Sequence, residues 1–215
     1  MTAAFDRVMH QLYGENIWDN FIPSPGDDGV QGWNGLHDVF KKVFSYDAEN
    51  IIIDVGVWKG QSTISLAQNL KDRGLNGVVI AVDTFLGSPE HWNREHNFFQ
   101  RIHGMPDLYR TFMSNVFRAG LTDYIVPLAQ TSTTAAAVLK SRGIRAGIVH
   151  IDAAHEYREV LNDMNDYWPI VEQDGFLIGD DYDPSWPGVV KAADEFALRH
   201  RLPLVLEHPK YIFQK

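Results

Sequence analysis

Short apolar runs recur along the 215-residue chain: IIIDV (51–55), VVIAVD (78–83), YIVPL (124–128), GIVHID (147–152) and GFLIGD (175–180). Each is too short for a helix and rich in β-branched side chains, the pattern of a strand buried on both faces. Helix-length segments separate them. Residues 61–73 place Ile64, Leu66, Ala67 and Leu70 on one face and end at Gly74, and TTAAAVLKSR, the stretch after Asp152 through Val171, and GVVKAADEFALRH follow the later strands. Strand and helix in alternation, with a helix-length crossover each time, require a parallel sheet covered on both faces. The last apolar segments, LPLVLE and KYIF, are joined only by His208 and Pro209. So short a link permits a hairpin and forbids a parallel crossover. The expected architecture is α/β: a doubly wound, mostly parallel, seven-stranded sheet of Rossmann-like type whose last strand is antiparallel.

The chain divides into an N-terminal extension (1–33) and one domain (34–215), a length that suits a single full core. FIPSPGDDGVQGWNG reads as a loop, and the aromatic residues of YGENIWDNF before it need a cover, either as a lid or against a second copy in a homo-oligomer. From Asn34, Leu36, Val39, Phe40, Val43 and Phe44 fall at helical spacing and predict a helix leading into the first strand. Residues 87–120 interrupt the alternation. They hold SPEHWNREHNFFQRIHGMP and then an amphipathic helix with Leu108, Tyr109, Phe112, Met113, Val116 and Phe117 inward. His91, His96 and His103 there are not spaced for one helical face and read as exposed loop histidines, in an insertion that suits a lid over an acceptor.

Composition removes several function classes. A formal charge of -9 and a pI near 5.4 argue against a phosphate-binding surface, so nucleic acid is not an expected partner. Without cysteine there is no disulfide, thiolate metal site or thiol nucleophile. Neither a leader pattern nor an apolar window of ~18 residues is present, so no membrane partner is expected and a cytoplasmic address fits.

In open α/β sheets ligands sit beyond the carboxyl ends of the strands. The first such turn is DVGVWKGQST. A dinucleotide fingerprint needs glycine two positions after Gly56, where this chain has Trp58, and a Walker loop needs lysine after Gly60 rather than before it. What remains is a tight turn that brings backbone N–H groups and a helix N-terminus towards a carboxylate-bearing ligand. Asp83 ends the second strand, where an acid either caps the next element or accepts hydrogen bonds from the two hydroxyls of a ribose. Beside the glycine turn, the ribose role is favoured.

DVGVWKGQST, AVDTF, IDAAHEYREVLND, GFLIGDDY and KAADEF, in that order, resemble a class I S-adenosylmethionine-dependent methyltransferase, over roughly residues 34–213. Within that class the chain is similar to the metal-dependent O-methyltransferases related to the macrocin and mycinamicin sugar-tailoring enzymes, with cephalosporin hydroxylase-like proteins as cousins. The resemblance implies that Asp54, Gly56, Val57, Trp58 and Gly60, with Ser62 and Thr63 behind them, hold the methionine part of S-adenosylmethionine. It implies further that Asp83 and Thr84 hold the ribose, that Thr131 and Ser132 lie against the adenine, and that Asp152 borders the cofactor.

Asp152 ends the fourth strand while Asp180 and Asp181 end the fifth, and neighbouring strands are ~4.8 Å apart, so the three carboxylates can converge. Unpaired, they would repel and raise one another's pKa. A divalent cation resolves this, and all-oxygen ligation suits Mg²⁺. In metal-dependent relatives such a site grips a substrate with two adjacent oxygens and lowers the pKa of its hydroxyl. The reading is therefore methyl transfer to a hydroxyl of a small molecule, a sugar or vicinal-diol-like acceptor. His155, three residues past Asp152, is the general base or a partner that orients Asp181, and Asp152 is the other candidate for the base. Tyr182 and Trp186 are candidates for the pocket wall, and Asp183 for a local cap. Two other activities fit parts of the pattern: a cephalosporin hydroxylase-like chemistry on the same cofactor site, and a metal-dependent hydrolase, which leaves residues 56–60 and Asp83 without a task.

Overall fold

A computed structural model describes the protein except at residues 26–28, 31, 33–34, 46–47 and 93–97. Asp27, Asp28 and Trp33 of the expected loop, Asn34 at the start of the expected helix, and His96 of the insertion therefore lie outside the described residues.

The chain opens with α1 (Ala3–Tyr13), capped by the Thr2 hydroxyl, which accepts from the Phe5 N–H. Its buried residues Ala4, Phe5, Val8 and Met9 recur at helical spacing and pack against the sheet. The core elements follow in order: β1 (Asn50–Val55), α2 (Gln61–Asp72), β2 (Gly77–Asp83), the hairpin β3 (Arg101–Ile102) and β4 (Met105–Pro106), α3 (Leu108–Arg118), β5 (Ile125–Ala129), α4 (Ser132–Ser141), β6 (Ala146–Ile151), α5 (Tyr157–Tyr167), β7 (Val171–Gly179), α6 (Pro187–His200), β8 (Val205–Glu207) and β9 (Lys210–Gln214). The main sheet runs β5-β2-β1-β6-β7-β9-β8, parallel through β7 and antiparallel at β9 and its partner β8. This is the doubly wound, seven-stranded sheet that the alternation of apolar runs and helices requires. Successive strands depart in opposite directions from β1 and β6, so the ligand crevice opens above their carboxyl ends.

Every residue of β1 is buried, and β2 is buried up to Asp83. Side chains such as Ile52, Ile53, Leu66 and Phe112, with no more than 1% of their surface accessible, each contribute ~1.5–3 kcal/mol of burial.

The expected helix from residue 34 is replaced by a single 3-10 turn, Asp38–Lys41, whose start is capped by His37 Nδ1. Only Val39 and Phe40 of its stripe are buried, and Leu36 is 70% exposed. Asn50 explains the early stop, because its side-chain amide accepts from the Ser45 N–H and donates to the carbonyls of Ser45 and Ala48, holding the approach to β1 as a loop. The helix expected through Val171 ends at Tyr167 and tightens into a 3-10 turn, Trp168–Ile170, because Pro169 lacks the N–H that would continue it. In α3, Leu108, Phe112, Met113 and Val116 face inward as expected, whereas Tyr109 and Phe117 are exposed.

The N-terminal aromatic residues find a cover within the chain. Trp18 Nε1 donates to the Ile125 carbonyl and the Tyr13 hydroxyl to that of Pro127. Both acceptors lie on β5, an edge strand whose free carbonyls would otherwise offer a pairing template. Pro127 is tolerated there because an edge position needs no second N–H. No helix among the described residues is long and apolar enough to cross a membrane.

Candidate active site

The turn after β1 is built on a buried acid. Asp54 Oδ2 accepts from the Ser62 hydroxyl at 2.8 Å and from the Thr63 hydroxyl at 2.5 Å, and Oδ1 lies 2.7 Å from His150 Nδ1. Burial alone would raise the Asp54 pKa, but His150, Thr63 and Ser62 outweigh it and hold the carboxyl below its ordinary value. These side chains face one another beneath the turn, and Val57 points into the core. The turn therefore presents mainly backbone and Trp58 to the crevice.

Gly56 (φ 85°), Trp58 (φ 52°) and Gly60 (φ 101°) all adopt the left-handed conformation. At Gly56 the reason is contact: a Cβ there would stand 1.8 Å from the Asp152 carbonyl oxygen. Trp58 keeps a backbone conformation suited to glycine, which is costly for so bulky a residue. It is held there by its N–H, which donates to Asp83 Oδ2 at 2.9 Å, and by the stacking of its indole on His91, with centroids 4.0 Å apart. Phe85 N–H donates to Asp83 Oδ1 at 2.7 Å. Burial raises the pKa of Asp83 in spite of these two hydrogen bonds and a third from the Thr84 backbone. Gly60 opens α2 with no side-chain cap, leaving its first-turn N–H groups to other acceptors. His91 is thus no free loop histidine: the insertion reaches the turn through it.

The ribose and adenine candidates are more exposed. The Thr84 hydroxyl accepts from the Leu86 N–H at 3.2 Å. Thr131 is the N-cap of α4, accepting from Thr134 N–H at 3.2 Å. Ser132 accepts at its carbonyl from the Tyr167 hydroxyl and is hydrogen-bonded through its side chain to Asp163.

At the ends of β6 and β7, Asp152, His155 and Asp181 each bring one donor atom within 4.8 Å of the others. His155 Nε2 is 2.8 Å from Asp181 Oδ2, and its ring stacks on Trp186 at 4.2 Å. Asp181 has φ 61°, a conformation aspartate tolerates better than most residues. A cavity of about 10 Å³ lined by Asp152, His155, Asp180 and Tyr211 sits beside the cluster, close to the room one water or cation needs. Burial first, and then the charge of Asp180, push the Asp152 pKa up to about 8. Tyr182 turns away to Asp194, and Asp183 accepts from the backbone and hydroxyl of Ser185, a local cap.

Asp180 does not join the cluster. It is 5% exposed, its Oδ1 accepts from Asp181 N–H at 2.9 Å and its Oδ2 accepts from Lys210 Nζ at 2.6 Å. Lys210 is fully buried, with Nζ 3.0 Å from His150 Nε2 and 5.0 Å from the Phe40 ring centre. Sequence reasoning singled out neither His150 nor Lys210. The one signal was a titratable residue inside each apolar run, GIVHID and KYIF.

Residues 53–182 match the family model described as a methyltransferase domain. The chain belongs to that family. A relative from Acanthamoeba polyphaga mimivirus, "Uncharacterized protein R132", is 27% identical over 146 residues, 66% of this chain and 57% of the relative, so the chain spans little more than half its length. Among solved structures, the methyltransferase domain is similar to the O-methyltransferase NovP (TM-score 0.63, 17% identity, 83% of this chain and 78% of that one). It is also similar to the MycE methyltransferase of the mycinamycin biosynthetic pathway, solved with Mg and SAH (TM-score 0.50, 14% identity, 83% and 48%). At these identities the likeness is one of fold.

Proposed function

We propose that this methyltransferase domain moves a methyl group from S-adenosylmethionine to a hydroxyl of a small molecule, a sugar or vicinal-diol-like acceptor, with Mg²⁺ assistance. The observation that carries the reading is the Asp152 carboxylate: half-buried at the mouth of the crevice, within 4.8 Å of donor atoms of His155 and Asp181, with its pKa raised and, among the described residues, no hydrogen bond to its oxygens. Such a group is costly without a ligand.

The residues fit both groups. The uncapped first turn of α2 suits the carboxylate of a methionine. Asp83 accepts from the N–H groups of Trp58 and Phe85, with a further backbone hydrogen bond from Thr84, and a carboxylate's remaining acceptor capacity suits a ribose hydroxyl. The Trp58 indole N–H is buried with no partner among the described residues, a donor that a polar ligand would satisfy. Asp152 and Asp181 would hold the cation. NovP is an O-methyltransferase by name, and MycE was solved with Mg and SAH, which supports both the reaction and the metal.

Bound there, S-adenosylmethionine supplies an electrophilic methyl and Mg²⁺ lowers the pKa of an acceptor hydroxyl. His155, held by Asp181 on one side and Trp186 on the other, takes the acceptor proton. Trp58 and His91, stacked on each other, shield the crevice from water.

Incubation with labelled S-adenosylmethionine and a panel of sugars and catechol-like diols, followed by mass spectrometry, should show a gain of one methyl that saturating EDTA abolishes. Turnover that survives EDTA removes the cation from the reading. A chain that binds no S-adenosylhomocysteine in calorimetry removes the methyl donor as well.

A further inference from the structure

Asp54, His150, Asp180 and Lys210 form a continuous buried chain, one residue from each of β1, β6, the end of β7, and β9, which are neighbours in the sheet in that order. Their side chains are at most 2% exposed. The hydrogen-bond chemistry orders the protons. A lysine ammonium has only donors, so at 3.0 Å His150 Nε2 must accept, and the imidazole then carries its proton on Nδ1, facing Asp54. That leaves Lys210 as the one cation of the chain and Asp180 as the carboxylate it touches directly.

We propose that Lys210 is a positioning residue that neutralises Asp180 from within the sheet and so sets the charge of the acid site. It binds Asp180 Oδ2 from within the sheet, and Asp180 Oδ1 is fixed by the N–H of Asp181. The same backbone contact sets the left-handed turn at Asp181 and aims that side chain at His155. Of the three strand-end acids, Asp180 borders the small cavity beside Asp152 but is the one ion-paired from within the sheet, while Asp152 and Asp181 share the cluster with His155. The cation site so defined carries two negative charges rather than three, and its affinity is set from below by a residue that touches neither the cation nor the acceptor. This rests on the reading of Asp152 and Asp181 as a cation site.

Mn²⁺ serves as the probe, with binding read by electron paramagnetic resonance and folding by near-ultraviolet circular dichroism. In Lys210→Met the Asp180 charge is no longer neutralised and adds to the cluster, so Mn²⁺ should bind at least five-fold more tightly, a gain that structural damage does not produce. The double variant Lys210→Met/Asp180→Asn removes both charges, leaves no buried ion without its counter-charge, and should show wild-type near-ultraviolet circular dichroism. It should bind Mn²⁺ within three-fold of the wild type. Unchanged affinity in folded Lys210→Met, or a ten-fold loss in the double variant, would overturn the assignment while leaving the cation site standing. A wild type that binds no Mn²⁺ would overturn the cation site and this assignment together.

Discussion

The Asp54–His150–Lys210–Asp180 chain and the Asp152–His155–Asp181 cluster lie under the same strand ends and meet at neighbouring residues, yet they treat their charges in opposite ways. In the inner chain every polar atom named above has a partner at 2.5–3.0 Å, and the side chains are sealed from solvent. In the outer cluster His155 and Asp181 are 24% and 22% exposed, and Asp152 has a raised pKa and no hydrogen bond to its carboxylate among the described residues. Satisfied buried networks specify structure, whereas a partly satisfied one at a crevice marks a place for a ligand. The two should therefore fail differently when cut.

The inner chain should show its loss in stability. Asp54→Ala strands the Ser62 and Thr63 hydroxyls and removes the partner of His150, and a buried network cut on one side loses ~3–5 kcal/mol. Urea denaturation should report a loss in that range; a change below ~1 kcal/mol would break the distinction between the two regions. The outer cluster should show its loss in rate. His155→Gln preserves a hydrogen bond to Asp181 but cannot take a proton, so kcat should fall ~100-fold or more with the unfolding midpoint little changed. Equal turnover would leave Asp152 as the remaining candidate for the base.

How much of this was legible follows from how local each feature is. The strands of the sheet declare themselves because a two-faced burial writes an unbroken apolar run, and the helix-length crossovers make them parallel; their order came only with the structure. Asp152 and Asp181 were readable as strand-end acids for the same reason. The separation of Asp180 from them was not, because it depends on Lys210, thirty residues further on and reached through an antiparallel strand. Nor was the conformation of Trp58 legible: a tryptophan reads as a bar to a glycine turn, but here Asp83 and His91 hold it in the glycine conformation. The α1 stripe of Ala4, Phe5, Val8 and Met9 was present in the sequence, masked by the polar residues between them.

Asp163 combines the two behaviours, since it is only 4% exposed yet only partly satisfied, by Ser132. Burial first, then the Asp166 and Glu159 charges, against that hydrogen bond, push its pKa up to about 6. A folded pKa above the unfolded ~3.9 means that the folded state binds the proton more tightly, so stability is lost as pH rises from about 4 through 6. Above 6 the whole cost is present. Asp163→Asn should remove it, stabilising the protein by ~3 kcal/mol at pH 8 and by little near pH 4. If the gain is the same at both pH values, ionisation of Asp163 is not its source.

The smallest effect concerns Thr131, where a structural and a ligand role coincide at one hydroxyl. As the N-cap of α4 it accepts from the Thr134 N–H, and Thr131→Ala should cost ~1 kcal/mol in urea denaturation. Thr131→Ser keeps the cap and should restore most of that loss. The exposed hydroxyl also lies at the segment proposed to face adenine, so S-adenosylhomocysteine affinity separates the roles. If affinity follows stability, falling in the alanine variant and returning in the serine one, the cap positions the segment and its polar atom is all the cofactor site needs. If serine restores the fold but leaves affinity reduced, the threonine methyl itself packs against the ligand, and the outer region extends along the carboxyl edge as far as α4.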